Sequence, residues 1–285
     1  MKFAVVGAGA IGMLVACLLK EAGEEVQLVA RTERQARLLN EQGISKDDGC
    51  HQIEAVTGFQ NIAPDTYILL AVKYDALPSV LPYLNNNCPE NPIVFLQNGM
   101  LHLNFIKKMP HQHIAVGSVE HGALKTNDTE IKHTGSGTIK FAVVRGERSL
   151  FHPLADIKNF SSEWHENADQ LLFRKVLLNC LINPLTALME IKNGELLTNL
   201  YAYDLLKNLY TEMYSAFPEL ETLLPFEEVT ALCASTANNS SSMLADKSAG
   251  RKMELDTILL YTLQRSVIDL PLLKTLYNLL KATEV

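Results

Sequence analysis

Apolar runs alternate with amphipathic stretches through the first hundred residues of the chain. The apolar runs at 3–6, 67–72 and 93–96 are typical of strands covered on both faces, and segments with helical periodicity lie between the predicted strands. The predicted elements are strands over 2–6, 25–30, 67–72 and 93–96, with helices over 13–21 and 33–41. The segment through Asp47–Asp48–Gly49 is predicted to be a loop. This alternation predicts an α/β domain with a mostly parallel sheet.

Between residues 114 and 165 the strand-like pieces become shorter, which indicates a mixed extension of the same sheet. Strands over 130–133 and 138–144 flank a turn at Gly135–Ser136–Gly137, a short helix is predicted over 149–158, and a last strand over 161–165. The polar residues 166–168 are the predicted hinge. The first domain is therefore predicted to span residues 1–167.

From residue 168 onward only helical periodicity remains. Apolar positions repeat at helical spacing over 171–182, 205–217, 254–266 and 272–280. Pro218, Pro225 and the polar run 238–242 interrupt the pattern. The second domain, residues 168–285, is predicted to be all helical.

The first strand leads directly into a glycine-rich turn and a helix. Gly7-Ala8-Gly9-Ala10-Ile11-Gly12 follows residues 2–6, which is the strand-turn-helix context that a dinucleotide-binding turn requires. There the glycines permit a tight turn, close approach of a pyrophosphate and helix packing, while the helix start attracts the anion. The alternative is a glycine turn that only packs.

A basic residue follows the second strand where an acidic one binds the ribose hydroxyls of NAD. Arg31 stands 31 − 12 = 19 positions after the last glycine, and a guanidinium there suits the 2′-phosphate of NADP. Thr32 and Gln35 form a capping-box pattern, so a second helix start is expected beside Arg31. The predicted cofactor is NADPH/NADP. The alternative is a solvated surface charge.

Composition limits the kinds of molecule that the protein is expected to bind. The net charge is −7 without a basic block, which argues against nucleic acid and anionic membranes. Five scattered cysteines without zinc spacing predict reduced thiols in a cytoplasmic protein, and three glycines with Lys20–Glu21 argue against a signal peptide at the N-terminus. No metal is expected, since His111 and His113 fit a solvated loop. We expect a small-molecule substrate and a monomer or homodimer.

Polar residues of possible chemical importance fall at strand ends and on one helix. Lys73 and Asn98 follow predicted strands, at the sheet edge where ligands bind in such domains. Taken alone, however, a surface lysine and a turn asparagine are the favoured interpretations. Lys175, Asn179 and Asn183 recur every four positions, drifting about 40° per step on one helical face. They either line a cleft or bond to neighbouring helices. The alternative is that the two asparagines cap a kink at Pro184 and that Lys175 extends its ammonium to solvent.

Two more polar residues stand near the end of the chain. Ser242 fits the beginning of a helix, and Glu254 fits an ion pair with Lys252 or Arg251. Alone, neither indicates a site.

Taken in order, these residues resemble the ketopantoate reductases (2-dehydropantoate 2-reductases). The resemblance rests on the turn at 7–12, Arg31, Val72-Lys73, Asn98-Gly99-Met100, Arg174-Lys175, the stretch from Asn179 to Ala187, Asn193-Gly194-Glu195-Leu196, Ser241-Ser242-Met243-Leu244 with Asp246, and Glu254-Leu255-Asp256.

The resemblance implies reduction of 2-dehydropantoate to (R)-pantoate with NADPH, in pantothenate and coenzyme A biosynthesis. It implies a Rossmann-like domain followed by a helical domain, as in 6-phosphogluconate dehydrogenase, closing on the substrate. Lys175 would be the general acid for the keto oxygen. The implied substrate-binding residues are Asn98, Asn179, Asn183, Asn193 and Ser242, and the implied cofactor-binding residues are Gly7, Ala8, Gly9, Ala10, Ile11, Gly12, Arg31, Lys73, Asn98 and Glu254.

Two positions depart from the family pattern, Leu101 and Ala142, where glycine is usual. Leu101 is expected to reshape the loop near the nicotinamide. Two alternatives stay open: a reductase of another small 2-oxoacid or of an opine-type product, and a non-catalytic NADPH-sensing protein.

Overall fold

The computed structural model describes residues 1–284, which form two compact units. The first contains Met1–Gln97 and His102–Leu171; the second contains Asn98–Leu101 and the chain from Leu172 onward. The short segment 98–101 thus packs with the second unit, although it lies within the domain predicted over 1–167.

Strands within residues 1–284 occur only in the first unit. They are β1 (Lys2–Val6), β2 (Glu25–Val29), β3 (Ile44–Lys46), β4 (Gly49–His51), β5 (Glu54–Val56), β6 (Tyr67–Leu70), β7 (Ile93–Phe95), β8 (Ile114–Val119), β9 (Gly122–Lys125), β10 (Glu130–Gly135), β11 (Ile139–Arg145) and β12 (Ser162–Trp164).

Eight of these strands form one sheet in the order β12-β11-β8-β7-β6-β1-β2-β5. All neighbours are parallel except β8 and β11. β1 lies inside the sheet, where Ala4 and Val5 are fully buried, as expected of a strand covered on both faces. Val6 is in register with Val29 and with Leu70. The residues that follow β1, β2 and β6 therefore meet at one edge.

The remaining four strands form a second sheet, β4-β3-β10-β9. The loop predicted through Asp47–Asp48–Gly49 is instead a hairpin between β3 and β4, with Lys46 paired to Gly49 and Asp47 at φ +53°. Two aspartates obscured it because they break the strand pattern and tolerate the left-handed conformation. The single sheet extension predicted around the turn at 135–137 is also divided. The turn joins β10, in the second sheet, to β11, in the first.

Five helices complete the first unit: α1 (Ala10–Glu21), α2 (Glu33–Gln42), α3 (Leu77–Asn87), α4 (Leu103–Ile106) and α5 (Arg148–Phe151), with 3-10 turns at Tyr74–Ala76 and His152–Ala155. The helix predicted over 149–158 is thus shorter. α3 was not predicted because Pro82 lies inside it, and an internal proline ordinarily ends a helix.

The second unit is helical throughout its described residues. Its helices are α6 (Ala168–Met189), α7 (Glu195–Thr198), α8 (Leu200–Ala216), α9 (Leu220–Leu223), α10 (Phe226–Ser235), α11 (Ser242–Ser248), α12 (Tyr261–Arg265) and α13 (Pro271–Thr283), with a π-helical segment, Asp256–Leu260, before α12. α6 begins within the first unit's residues and is the core helix of the second. It continues through Pro184.

The predicted fold class is confirmed. A mostly parallel sheet with helices makes the first unit Rossmann-like, and the second unit is helical.

Candidate active site

The glycine turn has the shape of an anion site. Gly7, at φ +110°, donates its amide to Val29 at 2.9 Å. A Cβ on Gly12 would lie 1.8 Å from the Gly7 carbonyl oxygen, so α1 packs directly against the turn. Gly9 caps α1, and a Cβ there would meet no atom within 4 Å. No side chain caps α1, so its first amides are not used by a capping side chain, which fits a pyrophosphate site.

Arg31 is exposed and lies between the end of β2 at Val29 and the start of α2 at Glu33. Thr32 caps α2, and its hydroxyl accepts the amide of Gln35 at 3.3 Å. The second hydrogen bond of the predicted capping box, in which the Gln35 side chain would accept the backbone amide of Thr32, is wrong. The Gln35 side chain donates instead to the Ala8 carbonyl at 3.0 Å, so it holds the glycine turn rather than its own helix.

Lys73 lies at the same sheet edge. It is exposed and precedes the 3-10 turn at Tyr74–Ala76, which follows β6. Because β6 and β2 flank β1, the first unit gathers the turn at residues 7–12, Arg31 and Lys73 along one edge. These are the predicted cofactor residues of that unit.

In the second unit, Lys175, Asn179 and Asn183 lie along one face of α6. Lys175 and Asn179 are half-buried, and Asn183 is 4% exposed. Apolar residues around them are buried: Val176, Leu177, Cys180, Leu181 and Ile182. A polar stripe inside a core helix is costly unless it has partners.

Asn183 has such a partner at the start of α11. Its amide nitrogen donates to the Ser242 hydroxyl at 3.4 Å, which is a bond to a neighbouring helix. The cap of α11 is Ser241, whose oxygen accepts the amide of Leu244 at 3.1 Å and the hydroxyl of Thr186 at 2.8 Å. Ser242 therefore does not cap α11, and it is exposed beside the stripe.

Asn98 and Glu254 also meet within the second unit. The Asn98 amide donates to the Glu254 carboxylate at 3.0 Å. The next residue, Gly99, has φ +79°, and a Cβ there would lie 2.2 Å from the Thr257 carbonyl oxygen. Thr257 belongs to the π-helical segment, a feature frequent at functional sites. The segment 98–101 is therefore fitted closely against this part of the unit.

Two basic residues near these sites were missed. Arg265 places its guanidinium 3.9 Å from the Phe173 ring centre and reaches the Met100 sulfur at 3.9 Å. Lys125, at the end of β9, donates to the Ala8 carbonyl at 3.2 Å. Neither residue stood in a sequence pattern that pointed to a site.

Asn193 is separate from the stripe's hydrogen bonds. It is 8% exposed and donates its amide to the Thr236 hydroxyl at 3.0 Å. Its backbone amide donates to the Asn239 carbonyl at 3.0 Å. Its side-chain oxygen, although buried, has no hydrogen-bond partner in the part of the chain that the structure describes. An acceptor with no partner suits a donor group on a ligand.

Two buried titratable side chains, His102 and Cys180, are close in sequence to the candidate site residues Asn98 and Asn179 but are neutral. Full burial lowers the pKa of His102 to about 3, and this ring stacks on Phe95 at 5.7 Å. Burial raises the pKa of the Cys180 thiol to about 12. Neither exchanges protons near neutral pH.

The solvated-loop interpretation of His111 is wrong. It is 1% exposed, and its Nε2 lies 2.8 Å from the Cys88 carbonyl oxygen. Burial lowers its pKa. Its polar sequence neighbours concealed a role in packing.

Over residues 1–284, no group of three or more His, Cys, Asp or Glu side chains could hold a metal. In the same residues the five cysteines form no disulfide. One helix, α6, is long and apolar enough to cross a membrane, a test that core helices also pass; 72% of its apolar window is buried within the protein.

Comparisons with protein families cover nearly the whole chain. A family model described as "Ketopantoate reductase PanE/ApbA" matches residues 3–146, and its C-terminal counterpart matches residues 167–284.

Individual proteins agree. The 2-dehydropantoate 2-reductase of Listeria monocytogenes is 32% identical, over 100% of this chain and 97% of that protein. A solved structure of a probable 2-dehydropantoate 2-reductase from Bacillus subtilis is 33% identical, covers 100% of both chains and superposes with a TM-score of 0.85. A ternary structure of D-mandelate dehydrogenase with NADH and anilino(oxo)acetate has a TM-score of 0.87, covers 100% and 98%, and at 22% identity shares the fold.

Proposed function

This chain belongs to the ketopantoate reductase family, and from that membership we propose that it reduces 2-dehydropantoate to (R)-pantoate with NADPH. The product would enter pantothenate and coenzyme A biosynthesis. We place the protein in the cytoplasm, as a monomer or homodimer.

The observation that carries the proposal is the polar stripe on α6. Lys175, Asn179 and Asn183 share one face of a core helix whose neighbouring positions are mainly apolar, and Asn183 donates to the exposed Ser242. A helix that served packing alone would be more stable with apolar residues at these positions. The stripe presents one cation and several neutral donors and acceptors, a set suited to a small oxoacid with a hydroxyl group.

We assign Lys175 as the general acid. Reduction of a ketone builds negative charge on its oxygen, which an ammonium within hydrogen-bond reach stabilises and then protonates. An ammonium carries three N–H donors, so one group can both stabilise the developing charge and supply the proton that the product alcohol needs.

Substrate orientation is assigned to neighbouring amides and hydroxyls. Asn179, Asn183 and Ser242 would hold the hydroxyl and carboxylate of the substrate. Asn193 would add the acceptor of its partnerless side-chain oxygen. Neutral amides and hydroxyls can hold the carboxylate by hydrogen bonds, which leaves the ammonium of Lys175 for the keto oxygen where charge develops.

The cofactor is assigned mainly to the first unit. The turn at residues 7–12 would hold the pyrophosphate, Arg31 the 2′-phosphate, and Lys73 a further polar group of the dinucleotide. Asn98 and Glu254, which already share a hydrogen bond, would hold hydroxyl or amide groups of cofactor and substrate. When bound, NADPH would supply the hydride.

A second candidate is reduction of a different 2-oxoacid with the same residues. Leu101 stands where the family usually has glycine, beside the Asn98 that is assigned to both ligands, and the D-mandelate dehydrogenase with this fold binds an oxoacetate and NADH. A non-catalytic NADPH sensor is the third possibility. It would not need the α6 stripe.

The test is a steady-state assay of the full chain with a panel of oxoacids, with and without amines, using NADPH and NADH. The proposal expects ketopantoate with NADPH to give the highest kcat/KM. A higher kcat/KM for another oxoacid would identify that oxoacid as the substrate instead. A requirement for an amine would identify an opine-type reaction. Tight NADPH binding without turnover on any of them would support the sensor.

A further inference from the structure

The end of β9 brings a lysine to the glycine turn. Lys125 donates its ammonium to the Ala8 carbonyl at 3.2 Å and to the Asp128 carboxylate at 3.1 Å. The side chain is 29% exposed. Ala8 stands between Gly7 and Gly9, so this ammonium lies at the turn assigned to the pyrophosphate.

The hydrogen bond to Ala8 does not by itself account for a lysine. Gln35, 8% exposed, donates its side-chain amide to the same carbonyl at 3.0 Å and to the Asp128 carbonyl at 3.2 Å. A neutral donor thus already satisfies this carbonyl and ties the turn between β9 and β10 to the glycine turn. What Lys125 adds is a positive charge.

At this place two cations share one carboxylate. Asp128 faces Lys125 at 3.1 Å and, at 3.8 Å, the exposed Arg34. Lys125 also has a third N–H, because an ammonium carries three donors and two are used here.

We propose that Lys125 is a cofactor-binding residue that gives its charge to the pyrophosphate of the dinucleotide, held in place by Ala8 and Asp128. The inference rests on the proposed function. It assigns the pyrophosphate rather than the 2′-phosphate because Lys125 contacts the glycine turn, whereas Arg31 follows β2. The pyrophosphate is common to NADPH and NADH, so Lys125 would raise the affinity for both equally.

The experiment is a direct binding titration of the full-length variants with NADPH and with NADH at several salt concentrations, followed by nicotinamide fluorescence. Lys125→Met removes the charge, Lys125→Gln keeps a donor without it, and Gln35→Ala loosens the turn alone. Lys132→Met is the matched control, an exposed lysine on β10 of the same sheet. Thermal unfolding of each variant reports on stability.

We expect Kd to rise about tenfold or more for both dinucleotides in Lys125→Met and Lys125→Gln, as for loss of a charge-assisted hydrogen bond. The loss should shrink at high salt. Lys132→Met should match the wild type.

Wild-type affinity in both Lys125 variants would overturn the inference. So would a loss confined to NADPH, which would move the charge to the 2′-phosphate, or a loss that Gln35→Ala reproduces together with lower thermal stability. If the wild-type protein binds neither dinucleotide, the proposed function itself fails.

Discussion

Replacing Gly9 by alanine separates a cofactor site from a turn that only packs. In the protein a Cβ at Gly9 meets no atom within 4 Å, and its φ of −88° and ψ of −173° suit any residue. The methyl group would occupy only the space left for a ligand. We therefore expect Gly9→Ala to fold normally and to bind NADPH poorly.

The magnitudes follow from the geometry. Alanine at a helix N-cap costs at most about 1 kcal/mol relative to glycine, and the reduced freedom of the unfolded chain returns about 0.4–1 kcal/mol. The net change in the free energy of unfolding is close to zero. A methyl group forced against a bound pyrophosphate costs about 1–3 kcal/mol, which corresponds to about a 5- to 150-fold rise in Kd.

Fluorescence titration with NADPH and urea unfolding measure the two quantities on the same preparations. Gly12→Ala is the matched control, because its Cβ would lie 1.8 Å from the Gly7 carbonyl oxygen. That variant should lose stability, since a backbone atom has to move. An unchanged Kd in Gly9→Ala would refute the assignment of the turn to a dinucleotide.

Three further predictions address other parts of the protein. Arg31→Ala should raise the KM for NADPH about tenfold to a hundredfold and leave that for NADH nearly unchanged; Arg37→Ala, exposed on α2, is the control, and equal effects on both dinucleotides would remove the 2′-phosphate argument. Gly99→Ala, whose Cβ would lie 2.2 Å from the Thr257 oxygen, should displace Asn98 and lower kcat/KM, whereas Gly250→Ala, with φ +62° but open space, should be mildly destabilised and fully active; similar activities would contradict this. His102 has a folded-state pKa of about 3 against about 6.5 when unfolded, so below pH 6.5 the unfolded chain binds a proton that the folded protein does not, and the free energy of unfolding falls by up to about 1.4 kcal/mol per pH unit. Between pH 7 and pH 5, urea unfolding should show a loss of stability that is about 2 kcal/mol smaller in His102→Phe than in the wild type. An equal loss in both proteins would show that another group is responsible.

Local periodicity made much of this molecule predictable. β1, the helix start at Thr32 and the stripe on α6 depend on residues within a few positions of one another, so their spacing is visible in the sequence. The hairpin at Asp47 and the helix containing Pro82 were missed because their residues contradict the usual preferences of strand and helix.

The hydrogen bonds that complete the sites depend on the tertiary fold. Asn98 meets Glu254 across 156 positions, and Lys125 meets Ala8 across 117. No local pattern records such pairs. Family resemblance pointed to Asn98 and Glu254 as separate residues, whereas Lys125 belongs to no quoted motif and required the structure.

The most direct test of the central claim, that Lys175 protonates the substrate, is single-turnover reduction of ketopantoate by Lys175→Ala with NADPH bound. We expect the rate to fall about 10²- to 10⁴-fold, the range for loss of a general acid, with the Kd for NADPH unchanged. Lys192→Ala, an exposed lysine in the same unit, should retain the wild-type rate. A near-normal rate in Lys175→Ala would contradict the account.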